Sequence, residues 1–157
     1  MNKINYILRY FTKNYPYKNE LSKTRLTKMV FLADWFSAQK NMSQITDIKW
    51  HYNHYGPFVN AVYKAAKKDK MLIIKNDYSA FGSPKEVISF KNEEDFNLEG
   101  LSDKEIEILD DVINETKTLN WSEFINLVYS TYPVKNQPQY SDLDLVKLAM
   151  EEKKKIS

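Results

Sequence analysis

The sequence predicts a mainly α-helical fold with a small antiparallel β element, an α+β class built as one compact domain over residues 1–157. Three observations carry that expectation. Apolar residues recur at helical spacing along most of the chain, whereas large and polar side chains alternate in the short stretch Ile48–Asn53. A 43% hydrophobic fraction is enough for a real core. A chain of this length buries roughly 70% of its unfolded surface in one domain.

Taken in order, Ile4, Ile7, Leu8 and Phe11 give a first helix, ended at Asn14-Tyr15-Pro16. Lys18 to Leu21 reads as a short link. Ser22 is the expected N-cap of a long amphipathic helix to about Asn41, with Leu26, Met29, Val30, Ala33 and Phe36 on its apolar stripe. A strand is expected from Ile45 to Tyr55, with Ile48, Trp50 and Tyr52 inward and Lys49, His51, Asn53 and Tyr55 facing out or lining a groove. Gly56-Pro57 breaks that pattern. Pro57 suits a first helical position, so a helix carrying Val62, Tyr63 and Ala66 is expected from Pro57 to about Asp69.

Met71–Ile74 and Val87–Phe90 read as short antiparallel strands around a hairpin loop, Asn76 to Lys85. Asn92 to Gly100 reads as an acidic linker. Ser102-Asp103-Lys104-Glu105 matches a capping box before a helix with Ile106, Leu109, Val112 and Ile113 inward. Asn120 to Glu123 opens a further helix with Phe124, Leu127 and Val128, ending before Pro133. Ser141-Asp142 is expected to cap the last helix, with Leu145, Leu148 and Ala149 inward. Lys153-Lys154-Lys155 complements the dipole at its end.

Composition removes several chemistries. There is no cysteine, hence no disulfide and no thiolate ligand or nucleophile. His51 and His54 are the only histidines, and their odd spacing on a strand sets them on opposite faces, so no metal site is expected. No nucleophile elbow exists, and Gly56, Gly82 and Gly100 form no phosphate cradle. The expectation is therefore a protein that is not an enzyme and carries no cofactor. A net charge of +2, with lysine far ahead of arginine, argues against a nucleic-acid partner. No signal peptide and no membrane-length apolar run is seen, so a soluble cytoplasmic protein is expected.

Three features then stand out as candidate sites. Asp34 lies beside the apolar stripe and next to Trp35 and Phe36, where an unpaired carboxylate would be costly. It reads either as a fold-holding bond to Lys28, Arg25 or an amide of the Tyr55-Gly56 turn, or as a direct grip on a partner. The aromatic and histidine strand from Trp50 to Tyr55 is the best recognition surface, since Trp and Tyr favour interface hot spots. The third feature, Lys64, Lys67, Lys68 and Lys70, reads as a solvated basic face.

The helix KMVFLAD, the strand entering HYGPF and the helix VNAVYKAAKK resemble the Panacea domain, also called the SocA-like antitoxin domain. The positions that carry the resemblance are Lys28, Val30, Phe31 and Asp34, then Trp50, Tyr55, Gly56 and Pro57, then Val62 and Tyr63. Family helices often have tyrosine where this chain has Phe31. The motif core spans residues 22–70, and a C-terminal helical part spans 101–155. The resemblance implies an antitoxin that binds and neutralises a cognate protein toxin, probed first at Lys28, Phe31, Asp34, Trp50, His51, His54, Tyr55, Gly56, Pro57 and Tyr63. It also leaves open an adaptor that delivers the toxin to a AAA+ protease, tethered through Glu151–Ser157. A phage-encoded inhibitor of a host defence protein is a further reading. The segment after Asn92 is expected to help set partner choice.

Overall fold

The structure, a computed structural model, describes residues 2–79 and 81–156. Its axis is α2 (Lys23–Asn41), against which α1 (Lys3–Asn14), α3 (Ala61–Lys68), α4 (Asp103–Thr116) and α7 (Leu145–Ile156) all pack. Ser22 caps α2 as expected, its Oγ accepting the Arg25 N–H at 3.1 Å. The expected amphipathic stripe is a correction. Every residue from Arg25 to Trp35 is buried, so this stretch of α2 is enclosed on all sides, and the exposed residues of the helix lie in its last turn. Polar side chains survive there because each finds bonds. Arg25 Nη2 donates to Tyr15 Oη at 2.9 Å and to the Thr116 and Leu119 carbonyls at 3.0 and 3.2 Å, closing the orphaned C-terminus of α4. Thr27 Oγ1 donates back to the Lys23 carbonyl at 2.7 Å.

The expected strand from Ile45 to Tyr55 is much shorter. Only Trp50–Asn53 forms β1, because residues 45–48 are bent around the Asp34 carboxylate. The expected helix start at Pro57 is also corrected. Gly56–Phe58 is a strand, β2, paired antiparallel with β1 in the register His51–Phe58, Tyr52–Pro57 and Asn53–Gly56. His54-Tyr55 is the turn between them, and α3 begins only at Ala61. Proline is tolerated in β2 because this is an edge strand.

A second sheet is a hairpin of β3 (Leu72–Tyr78) and β4 (Pro84–Phe90). The strands run further than expected, so half of the expected loop from Asn76 to Lys85 is ladder, β3 ending at Tyr78 and β4 beginning at Pro84. Ala80 lies outside the described residues, as do Met1 and Ser157. The expected acidic linker is docked: Phe96 packs its ring 5.9 Å from Phe90 and 6.3 Å from Tyr10. α4 carries the expected capping box at Ser102 and Glu105. A second box, Asn120 with Glu123, opens α5 (Trp121–Tyr129).

Two C-terminal elements differ from expectation. α5 ends before Pro133 as expected, but Pro133 then lies in the first turn of a further helix that was not expected, α6 (Tyr132–Asn136), where its missing N–H is harmless. Ser141-Asp142 does not cap the last helix. Asp142–Leu143 is β5, which pairs with β1 at Trp50 and His51, and Asp144 Oδ1 accepts the Lys147 N–H at 3.2 Å to cap α7. The first sheet is therefore antiparallel in the order β2-β1-β5.

The corner between α3 and β3 is held by Asp69, which accepts from Arg9 on α1, from Asn5 Nδ2 at 3.0 Å and from the Met71 N–H at 2.9 Å. Burial alone would raise this carboxyl, but those donors leave it below its ordinary value of 3.8. Asp69→Asn is expected to cost about 2–3 kcal/mol at pH 7, measured by urea unfolding. A lowered folded value makes that stabilisation present above the unfolded value and lost as pH falls through the folded one. The gap between wild type and variant should therefore close below about pH 4.

Candidate functional site

Lys28, Phe31 and Asp34 recur at a spacing of three, which places them along one side of α2. All three meet the first sheet. Lys28 Nζ donates to the Pro57 carbonyl at 3.3 Å. The Phe31 ring sits edge-on to Trp50, with centroids 5.4 Å apart and planes at 80°. Asp34 is 0% exposed and accepts from Trp50 Nε1 at 2.8 Å, from the N–H groups of Ile45 and Thr46 at 2.9 Å each, and from Thr46 Oγ1. Gln44 Nε2 approaches its second oxygen at 3.4 Å and reaches on to the Ile48 carbonyl at 2.9 Å. None of the three expected partners of Asp34 is used. Lys28, Arg25 and the Tyr55-Gly56 turn all bond elsewhere or lie apart from it.

The two buried charges differ. Burial pushes the Asp34 carboxyl up to about 6, against the pull of bonds from Thr46, Trp50 and Ile45. Lys28, 2% exposed, is given one carbonyl, and burial lowers its ammonium to about 8. Gly56 completes the clip between helix and sheet. Its φ is +97°, and a Cβ there would stand 3.0 Å from the Tyr129 ring of α5. Only glycine fits both conditions.

The clip aims a turn outward. Tyr55 is 75% exposed and sits edge-on to His54, with centroids 4.5 Å apart. His54 Nδ1 lies 2.9 Å from Tyr140 Oη, and Gln139 Nε2 donates to the His54 carbonyl at 3.0 Å. Tyr140, 58% exposed, adopts φ +68°, held there by its N–H bond to the Tyr52 carbonyl at 2.6 Å and by Tyr52 N–H to the Ser141 carbonyl at 2.8 Å. His51 Nδ1 stands 3.0 Å from Asp142 Oδ1 on β5. The two histidines thus have separate partners, and His54 belongs to the turn, not to a strand face.

Of the residues singled out in the sequence, the structure gathers Lys28, Phe31, Asp34, Trp50, Gly56 and Pro57 into the buried clip. His51, His54 and Tyr55 lie at the surface beyond it. Tyr63 is remote from both, donating to Glu86 on β4 with Lys23 Nζ 4.4 Å from its ring centroid. Nothing in the sequence marks Tyr140, Gln139 or Asp142 as site residues, because Pro138 to Leu143 has neither a helical nor a strand period. The expected tether is also altered: Glu151 to Ile156 continues α7, with Lys155 Nζ 5.2 Å from the Tyr132 ring centroid. Among the described residues no helix is long and apolar enough to cross a membrane.

A family model described as antitoxin SocA-like, Panacea domain, matches residues 26–133. That span includes the whole clip and the His54-Tyr55 turn, but not Gln139, Tyr140 or β5. No curated protein and no solved structure matches the chain.

Asp34→Asn removes half the acceptor capacity facing buried donors and is expected to cost about 3 kcal/mol in urea unfolding at pH 7. Lys28→Met should act in the opposite direction, raising stability by about 2 kcal/mol at neutral pH. The sign follows from the lowered folded value. The unfolded chain binds more protons between about pH 8 and 10.5, so wild-type stability rises with pH there. The advantage of Lys28→Met is thus largest below pH 8 and fades towards 10.5, a trend that thermal melts at a series of pH values would read.

Proposed function

The chain belongs to the antitoxin SocA-like, Panacea domain family, and from that membership we propose that it is an antitoxin, binding and neutralising a cognate protein toxin through the turn at His54-Tyr55. The observation that carries this reading is the pair of exposed tyrosines, Tyr55 and Tyr140, joined through His54 and tied to β1 by the Tyr140 N–H bond to the Tyr52 carbonyl. Aromatic rings held in place lose little freedom on binding, and such residues dominate the energy of protein interfaces. Tyr140 in the left-handed region costs of order 1–3 kcal/mol. Such strain, retained to present an exposed ring, supports a binding role.

Half of this surface comes from the family-matched span and half from the segment after it. That division supports a shared scaffold with a partner-specific flank at residues 138–143. It moves the expected specificity from the whole segment after Asn92 to one short stretch of it. Family membership points to binding, not catalysis, and the clip beneath the turn supplies rigidity instead of reactive groups.

The test is co-expression with the product of the reading frame next to its own, followed by affinity capture. Tyr55→Ala and Tyr140→Ala are each expected to weaken toxin capture about 30-fold and abolish growth rescue, with melting temperatures near wild type. Retained rescue by the double variant would sink this surface. Rescue with toxin loss and no captured complex would instead favour delivery to a AAA+ protease.

A further inference from the structure

The β3–β4 hairpin has one edge covered and one bare. On the β4 side, the Ile88 N–H donates to the Leu21 carbonyl at 2.9 Å and Val87 bridges to Ser22. On the β3 side no strand follows, since the sheet has two strands. The bonds at the hairpin's ends say which groups face outward. Lys91 N–H donates to the Met71 carbonyl at 2.7 Å, and Ser79 N–H to the Ser83 carbonyl at 2.8 Å. Bonded and non-bonded pairs alternate between them. Ile73, Lys75 and Asp77 therefore turn N–H and C=O towards β4, and Ile74, Asn76 and Tyr78 turn theirs away. The outward bond of Ile88 agrees with this phase. The Tyr78 N–H is taken by its neighbour Asp77 at 2.8 Å. Among the described residues, no hydrogen bond within the chain engages the outward backbone groups of Ile74 and Asn76.

An unpaired edge is a template for an extended strand, and the side chains select which one. Consider β3 paired antiparallel with β3 of a second copy about a two-fold axis at Asn76. Lys75 then faces Asp77 of the other copy in a non-hydrogen-bonded pair, and Asp77 faces Lys75. Such pairs bring Cα atoms to about 4.5 Å, the closest approach in a sheet. Ile74 falls opposite Tyr78, an aliphatic ring contact, and Asn76 opposite Asn76. An axis moved one residue back sets Lys75 against Lys75, and one residue forward sets Asp77 against Asp77. Like charges directly opposed destabilise both. The charge pattern therefore fits one register of self-pairing and opposes its two neighbours.

We infer that β3 is a homodimerisation edge, two copies joining into a four-stranded antiparallel sheet in the order β4-β3-β3-β4 centred on Asn76. Asp77 releases the Tyr78 N–H, which passes to the Ile74 carbonyl of the second copy. All the residues involved are exposed or half-buried in the single chain, including Lys75, Asp77 and Tyr78, so nothing need unfold to form the pair. The Phe81 tip, 97% exposed, then lies at the Met71 end of the other strand. The edge is short, well below a standard interface, so association falls in the micromolar range. This inference does not depend on the toxin-binding reading.

Sedimentation equilibrium of the full chain over a wide concentration range tests it. Wild type should show a monomer–dimer equilibrium. Asn76→Pro should be monomeric with an unchanged melting temperature, because the Asn76 N–H faces away from β4. Lys75→Asp and Asp77→Lys alone should each weaken association at least tenfold. A one-to-one mixture of those two variants should dimerise again, since every 75–77 pair is then of opposite charge. Wild type that stays monomeric throughout would overturn the inference. A dimer indifferent to Asn76→Pro, or a mixture of the charge variants that stays monomeric, would overturn it equally.

Discussion

A carboxylate sealed from water must be surrounded by donors, and in this protein that requirement shapes everything downstream of α2. Asp34 gathers two backbone N–H groups, a threonine hydroxyl and an indole N–H. Residues 45–48 bend to supply those donors and so cannot extend β1. Trp50 is fixed by the same carboxylate and by Phe31, which sets where β1 begins. β1 in turn aligns β2 on one side and β5 on the other. The exposed His54-Tyr55 turn and the Tyr140 ring are the outer end of that chain of constraints.

The partner of this rigid base is a lysine whose burial works against stability. Lys28 holds one carbonyl of the Gly-Pro strand and meets no carboxylate among its hydrogen-bond partners. A buried ammonium with so little compensation lowers its own affinity for the proton. Its carbonyl bond and the glycine contact at Tyr129 nevertheless register β2 against both α2 and α5. α2, β2 and α5 thus meet at one small locus beneath the His54-Tyr55 turn.

Electrostatics add a second level of organisation that the total charge hides. Residues 92–123 carry eleven acidic and two basic side chains, while residues 1–91 carry sixteen basic and six acidic. The near-neutral sum therefore hides a segregation along the chain that folding brings back together, as in the ion pairs Lys3–Glu105, Lys18–Glu93 and Lys40–Glu107. The β3 edge shows the same theme on a smaller scale, with a lysine and an aspartate two residues apart.

The sequence by itself determined the helix-rich class and the caps at Ser22, Ser102 and Asn120, because caps and apolar periods are local signals, whereas the clip residues stand out together only through the resemblance to the Panacea domain. It also marked Asp34 as a group in need of donors. Which donors was beyond it: Ile45 and Thr46 carry no sign of the role, since any residue has a backbone N–H. The sequence reads the enclosed α2 as a stripe because Arg25, Thr27 and Lys28 look like solvent residues until their buried partners are known. Pro57 likewise reads as a helix start, and only pairing with Tyr52 across the turn makes it a strand. Tyr140 and β5 belong to the surface through contacts spanning some ninety residues of chain. Such long-range pairings are chosen by the summed packing of the whole core, and for that reason only the tertiary structure could decide them.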